Sequence, residues 1–128
     1  MVAWADYKKA AKERGSLALE LYVVVSTPVK SPEDVKAVLP DHLAYQAEQE
    51  AAGHLAFAGP LSDETGGQMQ GMGLIVYRAA DFETACQLAE DDPMHKQKVR
   101  SYTLRRWLIN EGSLQLDLKL SGQAVTLS

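Results

Sequence analysis

At 128 residues the chain is long enough to bury one hydrophobic core and too short to divide into two viable ones, and its 46% hydrophobic and 23% charged residues fit an ordinary globular protein rather than a disordered or fibrous one. A net charge of −4 without an aromatic-studded basic surface argues against nucleic acid as a partner, and no apolar run approaches the roughly 20 residues that span a bilayer, so no membrane partner is expected either. The single cysteine, Cys86, excludes an intramolecular disulfide, and the lysine-bearing N-terminus has no apolar signal-peptide core, so a reducing, cytoplasmic setting is expected.

Trp4, Tyr7, Ala10 and Ala11 recur at helical spacing between lysines, which predicts an N-terminal helix within residues 1–15, ended by Gly15. Leu17, Leu19, Leu21, Val23 and Val25 then alternate with Ala18, Glu20, Tyr22 and Val24, the pattern of a first core strand, and Ser26-Thr27-Pro28 ends it. Ser31-Pro32-Glu33-Asp34 has the grammar of a helix start, with a serine cap, proline at the first position and acids in the first turn. A short turn of helix is expected there. Pro40 should restart the register, and Leu39, Leu43, Ala47 and Ala51 mark the first main helix, stopped by Gly53.

Residues 54–61 form a second strand that Gly59-Pro60 should close, because proline cannot donate to a ladder. The glycine-rich residues 62–73 are expected to be a flexible loop, and residues 73–77 a third strand. Asp81 opens a helix with Phe82, Ala85, Cys86 and Ala89 on its apolar face, which makes Cys86 a core residue. Pro93 must stop that helix near Asp91. Residues 102–109 read as the fourth strand. Strand, helix, strand, strand, helix, strand is the split βαβ order of a ferredoxin-like α+β domain.

Beyond it, Leu114, Leu116, Leu118 and Leu120 alternate with Gln115, Asp117 and Lys119, which predicts an additional C-terminal strand over residues 113–120. The expected organisation is one domain over residues 1–128: helix 1–15, core 17–110 and the extra strand. A four-stranded antiparallel sheet with both helices on one face leaves the other face bare, and a second copy would cover it economically, so a homodimer is expected.

For chemistry, His42 lies two residues after Pro40, so it is expected in the first turn of its helix, where the positive helix end favours a neutral ring; Asp41 beside it acts in the opposite sense. Asp92 closes the other main helix. A metal triad of His42, Asp92 and His95 is conceivable by ligand type, but no H-x-H or H-x3-H spacing supports it and no metal is expected. His54 reads as structural. No Walker lysine and no dinucleotide glycine pattern is present, so no nucleotide cofactor is expected. Gly59, Pro60 and the glycines from 66 to 73 could lie close to a ligand, as a pocket lid or as a plain hairpin loop. Of the adjacent Arg105 and Arg106, alternation lets at most one point into a pocket. Tyr45, Tyr102 and Trp107 are large enough to line a pocket, although aromatic residues at these spacings more often serve packing.

Three segments, Asp41-His42-Leu43-Ala44-Tyr45, Ala56-Phe57-Ala58-Gly59-Pro60-Leu61 and Ala89-Glu90-Asp91-Asp92-Pro93-Met94, taken in that order, resemble the YciI-like (YCII-related) family. The resemblance implies a ferredoxin-like domain that dimerises into an α+β barrel. It also implies a His-Asp pair made by His42 and Asp92, with Asp92 accepting from one ring nitrogen and leaving the other as a base. Tyr45, Gly59, Pro60 and Arg106 are the expected substrate-binding residues. The function expected from this is proton transfer on a small organic molecule without a cofactor, as in a lyase, isomerase or dehydrohalogenase. A non-catalytic ligand-binding or regulatory module of the same fold is the alternative.

Overall fold

The computed structural model describes residues 1–127. Residues 20–107 form one compact unit, and the two chain ends, residues 1–19 together with those from 108 onward, form another. The larger unit holds β1 (Leu19–Pro28), α2 (Pro32–Ala51), β2 (Leu55–Ser62), β3 (Met69–Tyr77), α3 (Phe82–Asp91), a single helical turn α4 (Pro93–Lys96) and β4 (Arg100–Ile109); α1 (Trp4–Glu13) precedes them. The sheet runs β2-β3-β1-β4, with β3 antiparallel to both β1 and β2. This is the ferredoxin-like α+β arrangement that the element order predicts.

Register explains the core. Tyr22 lies opposite Tyr77 and Val24 opposite Ile75, which puts these four on one sheet face, and Ala85 and Ala89 of α3 are buried with them. The two alanines, four residues apart, present a smooth helix surface to the sheet. Cys86, next to them, is half-buried rather than enclosed. Val38 of α2 packs with Met94 and Val99 in a second cluster.

Four expectations are corrected. α2 does not restart at Pro40 but runs unbroken from Pro32 to Ala51. A proline within a helix costs about 3 kcal/mol, and the helix is held on both sides of it, by the Ser31 cap and buried Val38 before and by a Tyr45 hydrogen bond to Leu88 after. Pro60 does not close β2, since β2 is an edge strand and tolerates a residue with no N–H to give. Nor are residues 62–73 a long loop. β3 already begins at Met69, and Asp63 organises the remaining turn by accepting from the Thr65 N–H and Oγ1 and from the Gln68 N–H. Its hydrogen-bonded partners hold its carboxyl below the usual range, Thr65 first among them.

The fourth correction concerns the C-terminus. β5 (Leu116–Lys119) pairs with a strand the pattern did not reveal, β6 (Ala124–Leu127), in a two-stranded sheet of its own. Leu116, Leu118, Val125 and Leu127 are exposed on it. Among the described residues no helix is long and apolar enough to cross a membrane.

Candidate active site

Asp92 owes its place to the proline that follows it. Pro93 biases the preceding residue away from helix, and Asp92 is extended (φ −61°, ψ 124°), at once the last cap of α3 and the first cap of α4. Its Oδ1 accepts from the Met94 N–H at 3.0 Å. The same carboxyl group, 0% exposed, holds both oxygens against Nδ1 of His42, at 2.9 and 2.8 Å. A carboxylate can only accept, so Nδ1 carries a proton, and whenever the ring is neutral the free lone pair is on Nε2.

His42 is 16% exposed and lines a cavity of about 730 Å³. Leu39 and Leu43 of α2, Ile75 of β3 and Met94 give that cavity a largely apolar wall, and Gly59 and Pro60 also line it. Because α2 is continuous, His42 lies in mid-helix. The expected influence of a helix N-terminus on its ring therefore falls away.

A second chain of hydrogen bonds reaches the same cavity. The His95 Nδ1–H donates to the Ala89 carbonyl at 2.7 Å, so its Nε2, 2.8 Å from Oγ of Ser26, accepts from the serine hydroxyl. Oγ of Ser26 in turn accepts from Nε of Arg100 at 2.8 Å, and Nη2 of Arg100 donates to the Ser26 carbonyl at 2.8 Å and to the Gly71 carbonyl. Burial, above all, pushes the His95 pKa down, and Arg100 and His42 add to the effect against opposing contributions from Ala89 and Asp92. With both nitrogens engaged inside the protein, His95 has no lone pair left for a metal, and the triad with His42 and Asp92 does not form.

Two phenols lie near Asp92. Burial, followed by the charges of Asp91 and Asp92, raises Tyr45 to about 12. Tyr77 is raised further, by burial first and Asp92 second, and its enclosed hydroxyl has no hydrogen-bond partner among the described residues. Both stay protonated at neutral pH.

The structure thus brings together His42, Asp92, Gly59 and Pro60, and leaves two expected residues elsewhere. Tyr45 does not line the cavity; its hydroxyl donates to the Leu88 carbonyl at 2.7 Å. Arg106 does not line it either, being 3.5 Å from Glu20 and 5.1 Å above the Phe82 ring. The arginine at the cavity is Arg100. It has the same strand parity as Arg106 but sits six residues earlier, about 20 Å along β4. Starting β4 at residue 102 hid it. Ser26 is hidden in the sequence as a strand stop, and His95 stands out there only as a conceivable metal ligand.

The model of the YCII-related domain matches residues 20–108. The chain belongs to the YCII-related family. The matched stretch of this YCII-related chain runs from β1 through nearly all of β4 and contains His42, Asp92, Ser26, His95 and Arg100; α1 and the β5–β6 hairpin lie outside it. Among solved structures, the 5-chloro-2-hydroxyhydroquinone dehydrochlorinase of Burkholderia phenoliruptrix AC1100, in complex with 2,5-dihydroxybenzoquinone, is similar with a TM-score of 0.49 and 17% identity, over 68% of this chain and 92% of that one. No curated protein matches the chain at a significant level.

Proposed function

We propose that this YCII-related protein is an enzyme that moves a proton on a small organic molecule, with His42 as the base and Asp92 as the residue that orients it. One observation carries the reading: Nδ1 of His42 is tied to a fully buried carboxylate while the ring borders a cavity. Nε2 would take a proton from a carbon made acidic by a neighbouring carbonyl. The electron pair left behind would either rest on the carbonyl oxygen as an enolate, ready for reprotonation in an isomerase, or expel a leaving group as in a lyase or dehydrohalogenase. Asp92 would hold the tautomer and stabilise the imidazolium that results.

The test is deuterium exchange from solvent into a panel of enolisable keto acids and hydroxyaromatic compounds, followed by NMR. Wild type should exchange at least one of them at a carbon position, and His42→Ala should not. Equal exchange by both proteins would refute the assignment of the base.

A homodimer in a reducing, cytoplasmic setting belongs to the same reading. Phe57 (47% exposed) and Trp107 (42% exposed) lie on the sheet face away from α2 and α3, where Val23, Val25 and Leu74 are only partly covered. A second copy's sheet would bury that apolar surface. Light scattering should give twice the chain mass, and Trp107→Glu should shift the population toward monomer.

A further inference from the structure

We propose that the molecule this site accepts is a small organic anion, an oxyanion on a largely apolar body, and that Arg100 is the residue that binds its charge. The inference rests on the cavity beside His42 being the substrate site.

Charge is the first argument. In a chain of net charge −4, the cavity is lined by Lys30, Lys36 and Arg100 and by no aspartate or glutamate. The cationic lining therefore runs against the balance of the whole protein, and cations around an otherwise apolar cavity favour an anionic occupant. The two lysines are exposed and screened by solvent, but Arg100 is not fully so.

The second argument is what Arg100 lacks. Its three hydrogen-bond acceptors, Oγ and the carbonyl of Ser26 and the carbonyl of Gly71, are all neutral, and no carboxylate forms an ion pair with it among the described residues. Asp92 acts on it electrostatically from a distance, but both Asp92 oxygens are committed to His42 and Met94. Those three bonds use Nε and Nη2. Nη1 has no hydrogen bond to a described residue, so the guanidinium retains donors for an incoming oxyanion.

Third, the guanidinium is held in place. Gly71 has φ +98°, and a Cβ there would meet Cγ of Pro28 at 3.0 Å, so only glycine turns this carbonyl onto Arg100 without strain. The locked His95 ring orients Ser26 from the other side. A prepositioned cation beside a base would also stabilise negative charge that develops as a proton leaves carbon. Arg100 would then serve both binding and catalysis, and the chemistry would favour carboxylates and phenolates over neutral analogues of the same shape.

The experiment titrates wild type, Arg100→Gln, Arg100→Lys and His42→Ala with 2-hydroxybenzoate and with its uncharged amide, following protein resonances by NMR. Wild type should bind the carboxylate at least about tenfold more tightly than the amide, the size of one charge-assisted hydrogen bond. Arg100→Gln should lose that preference, Arg100→Lys should keep part of it, and His42→Ala should keep it whole. Because Arg100 also ties β4 to β1 and β3, the side-chain nitrogen resonances of Arg100 in wild type supply a readout that needs no variant: they should shift with the carboxylate and not with the amide. Equal binding of acid and amide, a preference that survives in Arg100→Gln, or no Arg100 response to the carboxylate would each overturn the proposal. A preserved preference together with absent proton exchange in wild type would instead refute the proposed reaction and leave the anion site standing.

Discussion

The α2 side of the site and the α4 side each present a histidine, and the fold uses the two in opposite ways. His42 spends one nitrogen on Asp92 and keeps the other beside a cavity. His95 spends both, on Ala89 and Ser26, and is buried where charging it is unfavourable. The difference lies in the number of partners rather than in residue type. A histidine with an oriented ring and a spare lone pair can act as a base, whereas one that is fully satisfied fixes its neighbours.

The sharpest way to break that comparison is His42→Ala. It should lower turnover of any substrate identified by the exchange screen by about 10²–10⁴-fold, the usual contribution of a positioned general base. The substitution also takes the Nδ1–H donor from the fully buried Asp92 carboxylate, so stability should fall as well, by roughly 1–3 kcal/mol, and turnover is compared on protein shown to be folded. A variant with full turnover would make His42 no different in role from His95.

Asp92→Ala should show the next largest effect, and on stability as well as activity. It removes the acceptor of Nδ1 of His42 and of the Met94 N–H at a fully buried position. Leaving such donors unsatisfied costs roughly 1–3 kcal/mol, measurable as a lower urea midpoint. Asp92→Asn retains an acceptor for one of the two and should fall between.

These two residues were within reach of the sequence for different reasons. Pro93 made the break after α3 legible, and with it the extended Asp92. The meeting of His42 with Asp92 was not legible from spacing, because a sequence separation of 50 says nothing about how α2 and the α3–α4 junction converge. It came only from likeness to a family. The ferredoxin-like order was readable because β1 and α3 carry clear apolar periods and because proline and glycine punctuate the elements between them. Glycines at 71 and 73 masked the first half of β3, the edge position that tolerates Pro60 is a tertiary property, and Pro40 looked like a boundary because local propensity does not register the packing that carries α2 across it. Arg100 was the costliest miss. Its role depends on carbonyls of Ser26 and Gly71, and backbone acceptors leave no mark in a side-chain pattern.

His95 should reveal itself through pH more than through turnover. Its folded pKa lies below the ordinary 6.5, chiefly through burial, so the unfolded chain binds the proton more readily. The stability that follows is complete above the unfolded pKa and is lost as pH falls below 6.5 toward the folded value. His95→Gln has an N–H and an acceptor but does not titrate. Urea midpoints measured across this acidic range should therefore fall less steeply for His95→Gln than for wild type, and parallel curves would mean that His95 is not held neutral by the fold.

His54 sets the floor of the comparison. It follows Gly53, whose positive φ of 82° ends α2, and its Nδ1 lies 2.8 Å from Oε1 of Gln49 at an exposed position. That contact competes with water at both atoms, so its net worth is small. His54→Gln should change stability by no more than about 0.5 kcal/mol and leave proton exchange unaltered. The backbone bond from the His54 N–H to the Gln49 carbonyl, which closes the helix end, survives the substitution. A substantial loss of activity in this variant would show that the exchange assay responds to any histidine replacement, and the contrast between His42 and His95 would have to be rebuilt on binding measurements.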